Sequence, residues 1–451
     1  MTTESGDSAK TPSHFSDPRL SCWQSAVAHV AMGSPGSRPL SKDVEAVVRD
    51  ADHPMIKAAA VAADDHQNQR PAASLAQDLE KCARIALNLG LAKLKGDHEK
   101  AEALEADLLG QYGQCDPRWK ECADQFNAFY KEAKEIKVYK RWSTQSDFVL
   151  NDLSQKCRIA IIGDWGTGQT RAISLLEKVA ESKPDLLIHL GDIYYACTKP
   201  ETDIFFSSCE KAFEAKRARI FTLCGNHDMY SGGGPYQELL QRVGQPASFF
   251  CLRNPKWQIL AADTGFNDFD PGSQGSIASW VQDGDKGDGY SEMNWHREKF
   301  DTAAERRTIL LTHHQPFTRN SPIEGNAVNG RLLGQFRPYL ADIPLWLWGH
   351  EHNQVIYDSF GGIRRGRCVG ASAVSTPETE NPYDVSEEFR GQALPDLLVK
   401  DGKLNLTVDP ALGLYNLGYV LLDLDGASGK ASYHQFDSTR NTSTLLHAED
   451  L

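Results

Sequence analysis

Apolar residues along this chain follow two different periods. Between residues 41 and 136 they recur three and four positions apart, in KDVEAVVRDA after Ser41, in SLAQDLEKCARIALNLGLAKL and in WKECADQFNAFYKEAKEI. That spacing gives each helix one apolar stripe, and Ser41 carries the side-chain oxygen of an N-cap. The pattern predicts an N-terminal helical domain over 19–150. A polar stretch rich in Ser, Thr, Asp and Pro precedes it and predicts a flexible tail over 1–18. None of these stripes specifies a chemistry.

After KVYKRW and STQSD the period changes. Short runs rich in aliphatic and β-branched residues appear at 157–164 (CRIAIIGD), 185–192 (DLLIHLGD), 219–226 (RIFTLCGN), 257–264 (WQILAADT), 307–314 (RTILLTHH) and 344–352 (PLWLWGHEH). Helical or loop segments separate them, which predicts an α/β domain over 151–451. RRGRCVGASA reads as a further strand, and YNLGYVLLDLD with GKASYHQFD reads as a closing hairpin. The Gly-rich acidic segment VQDGDKGDGYSE, 281–292, is the expected flexible loop.

Composition narrows the classes. A formal charge of -13 over 451 residues disfavours sequence-blind binding of nucleic acid, which depends on Lys and Arg neutralising phosphates. No run approaches the roughly 20 apolar residues of a membrane span, and the first residues lack a signal-type apolar core, so a cytoplasmic protein is expected. The ten cysteines form no CxxC pair and are expected to be free core residues, although Cys197 and Cys209 flank a short insertion and could pair under oxidising conditions.

Four of the strand-like runs end alike, with a glycine and then a metal-competent side chain: Gly163-Asp164, Gly191-Asp192, Gly225-Asn226 and Gly349-His350. Glycine allows a sharp turn at a strand end, so the next side chain can point over the sheet edge. A fifth run ends in His313 and His314, and His352 follows His350 by two. Converging Asp, Asn and His without Cys is the ligand set of a two-metal hydrolase, with Fe, Mn, Zn or Co favoured over iron-sulfur chemistry. GDWGTGQT has neither the Walker lysine nor the GxGxxG spacing of a nucleotide cradle. Trp165 is expected as a wall of the cleft, Trp346 and Trp348 as core, His189 and His296 as structural. RRGR at 364–367 is read as surface or strand edge rather than as a phosphate clamp.

Through GDWG, GDIYY, GNHD, THH and GHEH, the chain resembles the calcineurin-like metallophosphoesterases, and among them the purple acid phosphatase branch. The resemblance implies a metallophosphoesterase-type β-sandwich flanked by helices, preceded here by the helical domain. Most of the superfamily has Asp-x-His in the first motif; this chain has Gly166 in the histidine's place, and the purple branch supplies the ligand from GDxxY, matched by Tyr195. Tyr195 follows Asp192 by three, one helical turn onward, and its phenolate suits Fe(III). The implied first position takes Asp164, Asp192, Tyr195 and His352; the second takes Asp192, Asn226, His350 and a histidine from THHQP. A histidine directly after the strand selects His313, whereas a His-x-Pro form selects His314, and both stay open with His313 preferred. His227 is the implied phosphoryl-binding and proton-donating residue, with Asp228 orienting its ring. The implied cofactors are two metal ions, Fe(III) beside Tyr195 with Fe(II), Zn or Mn at the second position. The implied partner is a small phosphorylated substrate, a monoester before a diester, with a non-catalytic partner-binding role as the third possibility. The oligomeric state is left open.

Overall fold

Strand β2, Lys156–Ile162, shows how the chain builds its layers. Cys157, Ile159 and Ile161 point into one apolar cluster while Ala160 and Ile162 point into another. Successive side chains of a strand face opposite ways, so β2 is buried on both sides. In the computed structural model the described residues are 139–451, apart from 152, 167–169, 194–196, 216, 269–277, 285–288, 375, 377, 379–380 and 411–413. They fall within the compact unit 128–451. The tail expected over 1–18 and the helices expected between 41 and 136 lie outside the described residues.

Two sheets share the central cluster. One has six strands in the order β15 (Thr442–Asp450), β14 (Ser428–Asp437), β13 (Leu417–Asp425), β2, β3 (Leu186–His189) and β4 (Arg219–Thr222). The other has seven: β1 (Val149–Leu150), β5 (Phe250–Arg253), β6 (Trp257–Ala261), β7 (Arg307–Leu311), β8 (Leu345–Trp348), β10 (Gly366–Val369) and β9 (Gln354–Ile356). Residues of both, among them Ile159, Ile188, Ile309, Leu345 and Leu422, meet in the layer between the sheets. Burying one such side chain is worth roughly 1.5–3 kcal/mol. A slip of one residue would turn each strand's set to the other face, so the pattern fixes register. A two-stranded ribbon joins β11 (Val408–Asp409) to β12 (Leu414–Tyr415).

Helices cover the outer faces. Against the six-stranded sheet lie α1 (Thr170–Glu181), α2 (Lys199–Phe213) and α3 (Gly234–Arg242), which contribute Leu175, Phe205 and Leu239 to the outer cluster. Against the seven-stranded sheet lie α4 (Glu292–Asp301) and α5 (Gly330–Phe336), with Trp295 and Leu332 buried beside Trp346 and Trp348 as expected. No helix among the described residues is long and apolar enough to cross a membrane.

Each of the six expected apolar runs contains a strand, and β13 with β14 forms the expected hairpin. Residues 139–150 end in β1, which pairs in parallel with β5. Strand β15 was not expected: TSTLLHAED is polar, and as an edge strand it leaves Leu445 53% exposed. Flanks of the segment expected to be flexible at 281–292 are tied together, since Asp283 bridges Ser291 and accepts from Arg297 Nη2 at 2.7 Å; residues 285–288 lie outside the described residues. All six described cysteines, Cys197 and Cys209 included, are buried and outside any disulfide.

Topology directs the functional end. β2, β3 and β4 run parallel in one sheet, and β6, β7 and β8 run parallel in the other. Their C-terminal ends carry all the Gly-ligand pairs. Elsewhere the sheets are clasped by Glu449 of β15, which accepts from Arg367 Nε (2.9 Å) and Nη2 (2.8 Å) of β10, from Arg365 Nε (3.0 Å) and from Tyr433 OH (2.7 Å). Two arginines of RRGR are thereby engaged by protein, and Arg367, 2% exposed on β10 between β8 and β9, is buried rather than at the surface or strand edge expected for it.

Glu449→Ala would leave the buried Arg367 guanidinium uncompensated. It is expected to cost about 3 kcal/mol in denaturant unfolding. Burial opposes charge on Glu449, but Arg367 and Tyr433 hold its carboxyl below the usual range. Its contribution is therefore complete above the unfolded glutamate value of about 4.3 and fades as pH falls through the lower folded value. The wild-type and variant stabilities should converge in acid.

Candidate metal centre

The strand ends bring their side chains together by an arrangement different from the one expected of the glycines. Of the four, Gly191 has a left-handed φ of 104°. Gly225 and Gly349 instead provide room: a Cβ would lie 2.1 Å from Asp192 Oδ1 at Gly225 and 2.6 Å from Asp164 Oδ2 at Gly349. The left-handed turns are made by the functional residues themselves, Asp164 (56°), Asp192 (67°), His350 (69°) and His352 (49°). Each such non-glycine residue costs roughly 1–2 kcal/mol.

Backbone hydrogen bonds hold these turns. Asp164 N donates to Gly191 O at 3.0 Å, and His350 N donates to Asp164 Oδ2 at 2.9 Å. Asp192 Oδ1 accepts from His227 N at 3.0 Å. Beneath them His189 is fully buried and kept neutral, burial driving its pKa down to about 3. Its Nε2 accepts from Trp165 N (3.1 Å), so Nδ1 carries the proton toward Thr222 Oγ1 (2.9 Å). His189 and the buried His296, which sits 2.8 Å from Glu292, are structural as expected.

Electron-rich atoms from both sheets meet at His313. Its Nδ1 lies 2.9 Å from Leu190 O, a carbonyl, and is therefore the protonated nitrogen. Its Nε2 faces Asn226 Oδ1 (3.1 Å), His350 Nδ1 (3.2 Å) and Asp192 Oδ2 (3.2 Å), while His350 Nδ1 and Asn226 Oδ1 are 3.0 Å apart. Lone pairs gathered this closely need a proton or a cation among them. The donor set, one carboxylate, one amide oxygen and two imidazoles, fits a divalent cation of the Zn, Mn or Fe(II) type. In the protein alone His313 supplies that charge. Burial opposes its protonation, but Asp192, Asp164 and Asp228 lift its pKa to about 9. Burial likewise disfavours charge on Asp192, yet His313 and His227 hold its carboxyl well below the usual range.

A second group lies beside the first. Ligand atoms of Asp164, Asp192 and His313 fall within 4.8 Å of one another, and His352 Nε2 is 3.7 Å from Asp164 Oδ1. Asp192 belongs to both groups, as a bridging carboxylate would. Tyr195 lies outside the described residues, and Gly166 is buried and brings no side chain.

His314 takes a different place from His313. Its Nδ1 is 3.0 Å from Thr264 Oγ1 and its Nε2 is 3.1 Å from Asp268 Oδ2, so both nitrogens are engaged, although one of them lies within 4.8 Å of the His313 and His350 donors. The ring packs 4.5 Å from that of His350. His227 lines the same cleft, with Nε2 4.0 Å from Asp192 Oδ2 and its ring 4.6 Å from Tyr230.

Two expectations are corrected. Asp228 does not orient His227: its carboxylate accepts from the backbone N of Gly225 (2.7 Å), Asp192 (3.0 Å) and Ile193 (3.0 Å), clamping two ligand loops together. Trp165 is not a cleft wall; it is fully buried, edge-on to Phe205 at 5.8 Å, and its Nε1 donates to Ala172 O. Four supporting residues had not been singled out. Tyr230, four positions after Asn226, accepts from Asn226 Nδ2 at 2.7 Å. Thr264 and Asp268 hold His314. Glu351, buried between the two histidines of GHEH, accepts from Thr318 Oγ1 (2.5 Å) and Trp348 Nε1 (2.9 Å). A buried carboxylate inside a ligand motif and an i,i+4 tyrosine were the available signals.

Residues 157–354 match the family model described as Calcineurin-like phosphoesterase, a span that includes every site residue named above. No curated protein matches it in sequence. Among solved structures, a dimetal phosphatase from Danio rerio aligns at 11% identity and TM-score 0.40, covering 66% of this chain and 98% of its own. GAP50, the anchor in the inner membrane complex of Plasmodium, aligns at 12% and 0.38, covering 66% and 89%. Vacuolar Protein Sorting 29 from Cryptosporidium parvum aligns at 9% and 0.30, covering 66% and 99%.

Asp192→Ala removes the carboxylate common to both groups. After dialysis against metal-free buffer, elemental analysis should show metal falling from about two ions per chain, as expected of a two-metal centre, to near none. Wild-type metal content in the variant would refute the shared role.

Proposed function

We propose that this calcineurin-like phosphoesterase domain hydrolyses phosphate monoesters at a two-metal centre of the purple acid phosphatase-like kind. The observation that carries the proposal is the cluster around His313 Nε2, where ligand-type atoms from strand ends of both sheets lie 3.0–3.2 Å apart. Asp164, Asp192, Tyr195 and His352 would hold one ion, and Asp192, Asn226, His313 and His350 the other. Two ions so held would neutralise phosphoryl charge and lower the pKa of water to give hydroxide near neutral pH.

The chain's own groups have separate tasks. His227 is fixed by its backbone bond to Asp192 and by Tyr230 against its ring, which places an imidazole at the cleft to hydrogen-bond a phosphoryl oxygen and give its proton to the departing alcohol. Asp228 keeps the Asp192 and Asn226 loops in register through the three amides it binds. Intact ligands at all these positions favour catalysis over a role limited to binding a protein partner. The substrate class is a small phosphorylated molecule, and cytoplasmic placement accords with six buried cysteines outside any disulfide.

Iron at the first position is proposed from two residues taken together. Gly166 withholds an imidazole and Tyr195, in GDIYY, offers a phenol. A trivalent cation removes the phenolic proton by direct coordination, although the free group titrates at about 10.

With bound metal, hydrolysis of an aryl phosphate monoester should exceed that of the matching diester at least about tenfold, a difference of roughly 1.4 kcal/mol in barrier. Faster diester turnover would move the assignment to a phosphodiesterase, and no turnover by the metal-loaded protein would sink it. In iron-loaded protein, Tyr195→Phe should abolish the visible charge-transfer band and weaken iron retention. An unchanged spectrum would remove Tyr195 from the centre.

A further inference from the structure

Asn226 is the one amide in the cluster around His313, and an amide has a right and a wrong end. Its Oδ1 faces His313 Nε2 at 3.1 Å and His350 Nδ1 at 3.0 Å, the orientation a cation requires. Turned over, Nδ2 would place two donor hydrogens against the same imidazoles. In metal-free protein the neutral His350 Nδ1 can accept such a hydrogen, so the flipped amide competes there with the ligating one. Protonated His313 favours the oxygen on its side, and a contact outside the cluster can fix that orientation when the proton leaves.

Tyr230 is the group in place to do so. Asn226 and Tyr230 flank the short 3-10 turn His227–Met229, which brings position i+4 beside position i. Asn226 Nδ2 donates to the Tyr230 hydroxyl at 2.7 Å. The tyrosine is 8% exposed, and its ring lies against His227. We propose that Tyr230 is a positioning residue whose hydroxyl holds the Asn226 amide with its oxygen toward the second metal position. One side chain thereby sets the orientation of a ligand through its hydroxyl and supports His227 through its ring. The inference rests on the two-metal assignment but not on the choice of substrate.

Tyr230→Phe removes the hydroxyl and keeps the ring. In a calorimetric titration of the metal-free chain with Zn(II), the weaker-binding step should lose about 10- to 100-fold in affinity, the size typical of losing a group that orients a metal ligand. The same titration on Asn226→Asp, with and without Tyr230→Phe, isolates the cause. A carboxylate has no wrong end, so in that background removal of the hydroxyl should cost less than about threefold. The metal-free melting temperature should be the same for Tyr230→Phe and wild type. Equal Zn(II) affinity in Tyr230→Phe and wild type would overturn the proposal. So would an equal penalty in the Asn226→Asp background, because the hydroxyl would then act other than by orienting an amide. If the wild-type chain binds both ions yet cleaves no phosphoester, the assigned reaction fails and the role of Tyr230 stands; if it binds none, both fail.

Discussion

Mutual repulsion of unshared electron pairs is the constraint on which this structure depends. Asp192, Asn226, His313 and His350 direct oxygen and nitrogen atoms at one another over 3.0–3.2 Å in a buried place, and such a group is unstable unless a proton or a cation lies among its members. His313 can provide that charge with a proton. A metal ion can provide more of it and must displace that proton to do so. Much of the surrounding structure serves to keep these atoms close.

The effort is distributed. Four side chains adopt left-handed backbone conformations, and together these cost several kcal/mol at roughly 1–2 kcal/mol each. Parallel strands deliver every one of them to the same end of the molecule. Two glycines leave space into which carboxylate oxygens pack, and a buried aspartate, Asp228, spends its oxygens on three amides of neighbouring loops. The neutral ring of His189 secures the turn after Asp164 from below. Local strain survives because surrounding hydrogen bonds over-determine it.

Much of this was legible in the chain, for a definite reason. Strands buried on both faces read as apolar runs, and CRIAIIGD or RTILLTHH could be placed because burial leaves few polar residues inside them. Strand-end pairs such as Gly191-Asp192 marked the side chains that the structure brings together, since chemistry and backbone geometry both restrict those positions. Edge strand β15 was not legible, because one of its sides faces water and its sequence is free to be polar. The role of Asp228 was misread because adjacency to His227 suggested a partnership, whereas three-dimensional amide geometry decided otherwise. His313 and His314 could not be separated by position alone; what separates them is that Thr264 and Asp268, distant in sequence, engage both nitrogens of one ring. Trp165 follows a ligand in sequence yet faces the helix layer, a direction fixed by the turn at Asp164.

Asp164, Asp192 and Asn226 come from the six-stranded sheet, whereas His313, His350 and His352 come from the seven-stranded one. An ion held there would be gripped from both sides, a rivet between two leaves. It cannot be captured by either leaf folded alone, and prying the leaves apart must eject it. Loading would then belong to the last stage of maturation, and a loaded molecule would resist unzipping along that seam.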